Sequence, residues 1–412
     1  MSLPADEVRR GSPLLRLALV AVVVHLVLRA VTAVLLVRAS HLQVVFPPWT
    51  DADPSYLDMT VLWDGSWYRW IAEHGYPQVL PTDAAGHLQQ NAWAFYPAFP
   101  FLARLGMRLS GASFPLVGSL LALVAGAAAA GVLAVVLRRW VSAPLTIAAV
   151  AVWAAFPASP SLQIAYTESL AMLVLALWLL ALQRERWLLL GAMSVVMGLT
   201  RPIAVPLAVV LSVTLVLRWR SRRTRPWEAA DRLRAVAALA LTGGAGVLWP
   251  AIAWAATGRS DAYTATMATW RAGGEIVPFR PWLDMSRWFW RDDPDAQWLG
   301  PVSLVVVGVV LLGLVLGPWA WGLGAELRTW CLAYPAYLAV VLDPFTSIFR
   351  YLIPLFPLAA VVVGGGFRGA PGRRRTGIGL GIAAILVGLG IRGQWEWITQ
   401  LLVFNPPSDY PP

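Results

Sequence analysis

Long stretches of the chain contain no charged side chain, and this feature restricts the possible folds more than any other. Three of these stretches are Val117–Leu137, Val302–Leu323 and Tyr351–Gly366. A helix of about 20 apolar residues is long enough to cross the hydrocarbon layer of a bilayer. Hydrophobic residues make up 58% of the 412 residues and charged residues only 13%, which is not the balance of a soluble globular domain. The sequence therefore predicts an all-α polytopic membrane protein.

Apolar stretches recur along the whole chain and fit about eleven crossings. Several of the predicted spans are short and are joined by segments that contain Pro or Arg, which indicates non-helical backbone at membrane depth. Such backbone is tolerated only where it is buried in protein or lines a cavity, so we expect a cavity that opens to the outer side. The predicted spans are 14–38, 112–137, 143–158, 162–182, 187–200, 203–217, 235–256, 302–322, 330–342, 351–366 and 378–403.

All residues from 1 to 412 are expected to form a single membrane domain. The first span at 14–38 is followed by a long outer loop at 39–111, and residues 112–256 contain spans two to seven. A second outer loop occupies 257–301, and the remaining spans lie within 302–412. Both outer loops are rich in aromatic residues and too short for separate domains, so we expect short interfacial helices there.

Arginine is concentrated in alternate loops, and this pattern sets the expected orientation. Arg138–Arg139, Arg218–Arg234 and Arg368–Arg375 belong to one set of loops, whereas most of the 22 acidic residues lie in the other set. Loops rich in positive charge stay on the cytoplasmic side, so the acidic loops should lie outside. No nucleic-acid-binding module is visible, and these loops account for the net charge of +10. We therefore expect a multi-pass protein of the cell membrane with no nucleic-acid partner.

One segment of the first outer loop, Trp63–Pro77, combines polar and aromatic residues in otherwise apolar surroundings. Its sequence is WDGSWYRWIAEHGYP. The order Asp-Gly-Ser is typical of a helix start, and Gly-Tyr-Pro is typical of a helix end. We therefore predict a helix over residues 65–74, about three turns long, with Asp64 as its N-cap.

Asp64 has two possible roles at this stage. In the first, its carboxylate only caps the helix, and the neighbouring tryptophans form an aromatic belt at the membrane surface. In the second, the carboxylate oxygen that the cap leaves free accepts a proton during catalysis. The loop is much longer than a connection between two spans requires, and functional residues concentrate on loops held by rigid scaffolds. Loop length therefore favours the catalytic role.

Four blocks of the sequence together resemble the signature of the PIG-V type of membrane mannosyltransferase and its actinobacterial relatives. The first block is Trp63–Pro77. Ala94–Pro100 (AFYPAFP) is similar to the family's aromatic AFFPxFP block, and Ala165–Leu170 (AYTESL) is similar to its Y-[ST]-E-S-L block. Gly198–Arg201 (GLTR) is similar to its arginine-containing turn. The likeness covers about residues 60–205.

Two features of the chain differ from the family pattern. Pro202 and Ile203 stand where the family has Asn-Gly. The second half of the chain is similar mainly in hydropathy and in Phe349–Leu352. The acceptor is therefore the substrate that the resemblance defines least.

The resemblance implies a glycosyltransferase of the GT-C type that works on the non-cytoplasmic side of the membrane. It implies a mannose donor carried on polyprenyl phosphate and a glycolipid or glycan acceptor. Asp64 matches the acidic residue of the family's Trp-Asp motif and is the expected catalytic base. An inverting displacement of this kind needs a base for the acceptor hydroxyl and a fixed cation for the departing phosphate.

Two arginines near the outer face are the candidates for binding the donor phosphate. Arg201 lies between two short spans, and Arg350 lies at the outer start of a span beside Tyr351, which completes the predicted phosphate-binding set. A guanidinium group can bind two phosphate oxygens at once. The structural alternatives are an ion pair between Arg201 and Glu168 and contact of Arg350 with lipid headgroups.

Further residues are predicted to contact the substrates. Glu73 and His74 could hold acceptor hydroxyls, although residues on the polar edge of a surface helix would have the same pattern. Tyr96 and Tyr166 could stack on sugar rings or equally belong to the core. The predicted substrate-binding set is Trp63, Trp67, Glu73, His74, Tyr96, Tyr166 and Glu168.

No cofactor is expected, and a divalent metal ion is not expected either. Asp51-Ala-Asp53 has the D-x-D spacing that holds divalent ions in many sugar-nucleotide enzymes, but an acid-rich loop often matches this spacing by chance. A polyprenyl-phosphate donor carries one phosphate group, whose charge arginine can neutralise.

Two alternative functions stay open at the level of sequence. A transporter or flippase of a lipid-linked saccharide should have charges at mid-membrane and broken helices repeated in its two halves. In this chain the acidic residues lie mostly in the loops, and no internal repeat is visible. The other alternative is a GT-C enzyme for a different sugar, which the sequence does not distinguish from a mannosyltransferase.

Overall fold

The structure, a computed structural model, describes residues 13–406 except residues 48, 52, 272, 273, 275, 345 and 346. This part of the chain is all-helical, with 72% helix and no β-strand. The predicted all-α fold is therefore confirmed for the described residues. The larger of two hydrophobic clusters extends along the described chain from Leu17 to Phe404, and the smaller one surrounds Trp93 and Trp249.

Seventeen α-helices follow one another in the described ranges, and short 3-10 helices lie between some of them. The α-helices are α1 (Pro13–Ser40), α2 (Tyr56–Met59), α3 (Asp64–His74), α4 (Ala98–Ser110), α5 (Phe114–Arg138), α6 (Ala143–Ala154), α7 (Glu168–Gln183), α8 (Trp187–Gly198), α9 (Ala204–Arg220), α10 (Ala229–Thr257), α11 (Ala262–Ala268), α12 (Arg280–Trp288), α13 (Leu299–Leu316), α14 (Ala325–Val341), α15 (Ile348–Tyr351), α16 (Phe356–Val362) and α17 (Arg373–Leu401). The 3-10 helices are Ala92–Ala94, Ser159–Leu162, Ser221–Arg223, Pro294–Ala296, Pro318–Ala320 and Ile353–Leu355.

Six helical segments in the described part are long and apolar enough to cross a membrane, and they indicate a lipid bilayer environment. They are Pro13–Ser40, Phe114–Arg138, Ala204–Arg223, Ala229–Thr257, Pro294–Leu316 and Arg373–Leu401.

The predicted count of about eleven spans is not confirmed. Four of the predicted ranges contain only shorter apolar helical segments, and a fifth range, 330–342, overlaps α14, which has 17 residues and ends at Val341. These helices are shorter than the roughly 20 residues that a full crossing requires. The four shorter apolar segments are Ala143–Ala154, Glu168–Gln183, Trp187–Gly198 and Ile348–Val362.

Helix α5 lies at the centre of the fold, where it packs against α1 and α7. Small residues allow this close approach. A methyl group added to Gly118 would lie 2.9 Å from Cβ of Ala165, and one added to Gly126 would lie 3.0 Å from His25 and from Ser169. The tight contact at Gly118 fixes α5 against the segment that leads into α7.

Between α6 and α7 the only regular element is the short 3-10 helix Ser159–Leu162, and residues 158–167 are buried there. Arg29 of α1 donates hydrogen bonds to the backbone carbonyls of Ala154 and Ser159, and to Ser159 Oγ at 2.9 Å. Carbonyls at the end of a helix have no partner within the helix and carry partial negative charge. Arg29 therefore satisfies the end of α6 and holds the buried segment that precedes Glu168.

Both predicted outer loops contain short helices, as expected. Helices α2, α3 and α4 lie within 39–111, and α11 and α12 lie within 257–301. Aromatic rings join the first of these segments to α10, because Trp93 and Tyr96 pack against Trp249 at ring-centroid distances of 5.0 and 5.8 Å. The segment 39–111 is thus attached to the helical bundle rather than folded separately.

Candidate active site

Asp64 is the first residue of α3, and its carboxylate binds an arginine instead of capping the helix. Trp63 occupies the N-cap position with φ of 53°, in a region of backbone space that non-glycine residues seldom adopt. Asp64 Oδ2 accepts a hydrogen bond of 2.9 Å from Nη1 of Arg350. The predicted N-cap role of Asp64 is wrong, because a full positive charge attracts the carboxylate more strongly than the backbone amides do.

Four charged side chains converge at this point, and we call Asp64, Glu168, Arg201 and Arg350 the charge cluster. Nη1 of Arg350 also donates to Oε1 of Glu168 at 2.9 Å. The same carboxylate oxygen accepts a hydrogen bond of 2.7 Å from Nη2 of Arg201. Two carboxylates and two guanidinium groups therefore form one connected network without net charge.

Besides α3, which carries Asp64, three further parts of the fold position the cluster. Glu168 is the first residue of α7, where the helix N-terminus favours a negative charge. Arg350 belongs to the short helix α15, and its side chain is 4% exposed. Arg201 follows α8 in a turn, and its backbone amide donates to the carbonyl of Met197 at 2.8 Å. Such buried charges are stable only when they are paired, so the cluster must fold as a unit.

Aromatic rings cover the two guanidinium groups. The centre of the Arg350 guanidinium lies 5.0 Å from the centroid of the Tyr166 ring, and that of Arg201 lies 5.2 Å from the Tyr351 ring. Aromatic faces attract cations at such distances. The hydroxyl of Tyr166 donates to the carbonyl of Leu62 at 3.1 Å, which connects this ring to the residues just before α3.

Tyr68 on α3 is buried and lies within electrostatic range of Asp64 and Glu168. Its hydroxyl lies 3.3 Å from Oγ1 of Thr167. Burial raises the pKa of Tyr68, and the negative charges of Asp64 and Glu168 raise it further. The Tyr68 hydroxyl therefore stays neutral at physiological pH and can donate a hydrogen bond.

The cluster retains hydrogen-bonding capacity that the protein itself does not use. Nε of Arg350 and Oε2 of Glu168 are buried without a hydrogen-bond partner. Both arginines and Glu168 line a small cavity together with Tyr334. The cavity volume of about 10 Å³ is room for about one water molecule. A larger group must therefore approach from the open side, where Asp64 is 23% and Arg201 is 12% exposed.

No protein-family model matches this chain, and no curated protein matches it either. The likeness to the PIG-V type of mannosyltransferase accordingly stays a resemblance carried by the four sequence blocks. The geometry of the charge cluster is an observation that is independent of this resemblance.

Glu73 and His74 do not join the charge cluster. They lie at the other end of α3 from Asp64, about 14 Å away along the helix axis. Glu73 pairs with Arg69 at 2.9 Å, and the ring of His74 stacks on Trp70. The structure places both residues on an exposed helix end, so their predicted contact with acceptor hydroxyls stays a prediction that is separate from the charge cluster.

Trp63, Trp67 and Tyr96 were predicted as substrate contacts, and the structure places them among other aromatic rings. The Trp63 indole donates to the carbonyl of Leu401 at 2.9 Å, and the Trp67 ring stacks on Phe95. The Tyr96 hydroxyl lies 3.2 Å from that of Tyr263. Burial is the main reason that the pKa of Tyr96 is raised, and the neighbouring Tyr263 raises it further. These contacts describe a packing role for all three rings.

Sequence reasoning missed two tyrosines of α14. Tyr334 lines the small cavity beside Glu168, and the hydroxyl of Tyr337 donates to the carbonyl of Pro202. The two residues are three positions apart, so they share one face of the helix. Two hydroxyl groups on one face of a predicted span are a signal that the sequence already contained.

Proposed function

We propose that this protein is a membrane glycosyltransferase that transfers mannose from a polyprenyl-phosphate donor to a glycolipid or glycan acceptor. The observation that supports this proposal is the junction of Asp64 with Arg350 at 2.9 Å, which Arg201 joins through Glu168. The cluster thereby combines a proton acceptor with two phosphate-binding groups. The four sequence blocks of the PIG-V type support mannose as the sugar.

In the proposed reaction, the oxygen of an acceptor hydroxyl attacks the anomeric carbon of the donor sugar from the face opposite the phosphate. A new glycosidic bond forms, the bond from the anomeric carbon to the phosphate oxygen breaks, and its electron pair stays on the phosphate. The hydroxyl proton passes to Oδ1 of Asp64, the carboxylate oxygen that makes no hydrogen bond with the described residues. A general base in such a position contributes a rate factor of about 10²–10⁴.

The departing phosphate gains one negative charge, which the guanidinium groups of Arg201 and Arg350 neutralise. The carboxylates hold these groups before the donor binds, so the phosphate competes with Asp64 for Nη1 of Arg350. Once Asp64 has taken the proton, its charge is lost and its attraction for Arg350 weakens. Proton transfer and phosphate binding thus support each other, and low local dielectric strengthens both effects.

The proposed site faces the outer side of the cell membrane. Helix α7 begins at Glu168 in the charge cluster and ends beside Glu185, which pairs with Arg218 and Arg225. The loops at this second end are rich in arginine, which favours a cytoplasmic location. The charge cluster at the opposite end is then extracytoplasmic, where polyprenyl-linked sugars serve enzymes of the GT-C type.

The proposal is tested with purified protein in proteoliposomes that contain polyprenyl-phosphate-mannose and a panel of glycolipid acceptors. We expect a mannosylated product whose anomeric configuration is inverted relative to the donor. Polyprenyl-phosphate-glucose and polyprenyl-phosphate-arabinose serve as matched donors and should be used less efficiently. If the protein used another sugar in preference to mannose, the proposed transfer reaction would stand and the assignment of the donor sugar would be wrong.

A transporter gives a different result in the same vesicles. Movement of intact lipid-linked mannose between the leaflets, without any change in the saccharide, would contradict the proposal. A glycosyl product that forms only with the wild-type protein and not with empty vesicles would exclude spontaneous transfer.

A further inference from the structure

An apolar groove with a basic rim lies at the end of the bundle opposite the charge cluster. It lies between the start of α1, the end of α5 and the end of α7, and its volume is about 590 Å³. Leu14, Leu17 and Leu180 belong to its apolar lining. We call this feature the arginine groove.

The rim of the groove carries three guanidinium groups that belong to Arg138, Arg139 and Arg184. None of the three forms a salt bridge in the described part of the chain. Arg138 donates to the carbonyl of Val141 at 3.3 Å, and Arg139 donates to the carbonyl of Gln183. These contacts engage neutral oxygens and leave three positive charges together at the rim.

The acidic side chains nearby are engaged elsewhere. Glu185 pairs with Arg225 at 2.9 Å and with Arg218 at 3.3 Å. Glu326 accepts hydrogen bonds from the indole of Trp140 at 3.0 Å and from the amide of Gln183 at 2.9 Å. Neither carboxylate forms an ion pair with Arg138, Arg139 or Arg184 within the described residues 13–406, so the rim offers three guanidinium groups to an anion from outside.

The position of the groove selects the kind of anion. Helices α1 and α5 are both long and apolar enough to cross a membrane, so their ends meet the bilayer where the headgroups begin. A basic pocket between spans, above an apolar surface, fits a phosphate group and the acyl chain attached to it. A soluble anion would use the rim but not the apolar lining.

We propose that the arginine groove binds an anionic glycerophospholipid, with its phosphate on Arg138, Arg139 and Arg184 and an acyl chain along Leu14, Leu17 and Leu180. This binding site is separate from the charge cluster and does not depend on the proposed transfer reaction. Guanidinium groups suit it because their donors match two phosphate oxygens at once.

The experiment is native mass spectrometry of the detergent-purified full chain after addition of phosphatidylglycerol and phosphatidylcholine with identical acyl chains. We expect the wild-type protein to retain phosphatidylglycerol at least about tenfold more strongly, because each guanidinium near the headgroup favours the anion. The triple variant Arg138→Gln, Arg139→Gln and Arg184→Gln should retain the two lipids about equally.

The matched control changes three arginines of the same end that do not line the groove. The variant Arg220→Gln, Arg222→Gln and Arg223→Gln removes the same amount of charge and should keep the preference of the wild type. Arg184→Gln alone is a second variant that should fold normally, because the Arg184 side chain makes no hydrogen bond in the described structure. It should lower the preference severalfold.

Three results would overturn the proposal. The first is equal retention of both lipids by the wild type. The second is the same loss of preference in the groove and control variants. The third is a dimer that dissociates in the groove variant without any lipid preference in the wild type, because a second copy of the chain would then cover the groove.

Discussion

Arg350 and Arg218 are both buried, with side chains 4% and 9% exposed, but their donors bind different kinds of group. Arg218 uses all three nitrogens, which bind the carbonyls of Arg225 at 2.7 Å and Pro226 at 2.9 Å and the carboxylate of Glu185 at 3.4 Å. Arg350 binds two carboxylates through Nη1, has only a long contact of 3.5 Å from Nη2, and leaves Nε without a partner.

This difference separates an arginine that stabilises the fold from one that is available to a ligand. The partners of Arg218 are mainly backbone carbonyls, which the chain fixes in place. The partners of Arg350 are side chains, one of which, Asp64, is partly exposed and can change partner. The two arginines lie at opposite ends of α7, about 24 Å apart by its 16 residues. The comparison therefore predicts different consequences for equivalent substitutions.

Asp64→Asn should have the largest effect on turnover. The amide keeps the size of the side chain but cannot accept a proton, so we expect a loss of about 10²–10⁴-fold in the transfer rate. Glu185→Gln is the matched change at the other end and should leave the rate within about twofold. Initial rates in proteoliposomes measure both. Equal rates for Asp64→Asn and the wild type would remove Asp64 from its role as the base.

Arg350→Lys should lower turnover by about 10²-fold or more, because a lysine ammonium cannot reproduce the two-point contact with the phosphate. Arg218→Lys should leave turnover unchanged and lower the free energy of unfolding by about 1–2 kcal/mol, since it loses hydrogen bonds to carbonyls. Rates and unfolding in detergent are measured on the same preparations. A similar loss of activity in both variants would show that the two arginines do not differ in function.

Glu168→Gln should mainly affect stability. It removes a buried charge that holds Arg201 and Arg350, and we expect the free energy of unfolding to fall by about 3 kcal/mol. Glu185 is 27% exposed, so Glu185→Gln should lower the free energy of unfolding by at most about 1 kcal/mol. Chemical unfolding monitored by tryptophan fluorescence gives both values. Equal losses would contradict the different burial of the two carboxylates.

Removal of divalent ions should have the smallest effect. Both carboxylates of the charge cluster bind guanidinium groups, and the donor carries one phosphate that these groups can neutralise. We therefore expect EDTA to leave the transfer rate unchanged to within about twofold, since arginine supplies the electrostatic stabilisation. Restoration of a lost rate by Mg²⁺ or Mn²⁺ would show that a metal ion takes part.

Much of the fold could be predicted because helices in a bilayer need long apolar stretches. The stretch Val117–Leu137 lies within the helix Phe114–Arg138 as expected. The range 143–158 was predicted to be helical throughout, but its helix ends at Ala154, where Arg29 binds the backbone carbonyls. That contact joins residues 125 positions apart, and a local pattern contains no information about it.

The composition of the charge cluster was predicted, and one of its contacts, the ion pair between Arg201 and Glu168, was stated as a structural alternative and is present. Asp64, Glu168, Arg201 and Arg350 were each singled out from a motif or from a charge beside an apolar stretch. The hydrogen bond between Asp64 and Arg350 joins residues 286 positions apart, and the helix-start pattern instead suggested a capping role for Asp64.

Glu73 and His74 show a different limit of sequence reasoning. They share the helix of Asp64, and the shared motif suggested a shared site. Distance along a helix grows by 1.5 Å with each residue, so the two ends of α3 face different surroundings. A motif that spans a whole helix therefore does not identify one site.

The most direct test is a structure of the protein with a non-hydrolysable polyprenyl-phosphonate analogue of the mannose donor. We predict phosphonate oxygens within about 3 Å of the guanidinium groups of Arg350 and Arg201, with the anomeric carbon facing Asp64. An analogue whose phosphonate lies at the opposite end of α7, beside Arg218 or in the arginine groove, would contradict the assignment of the charge cluster as the site of transfer.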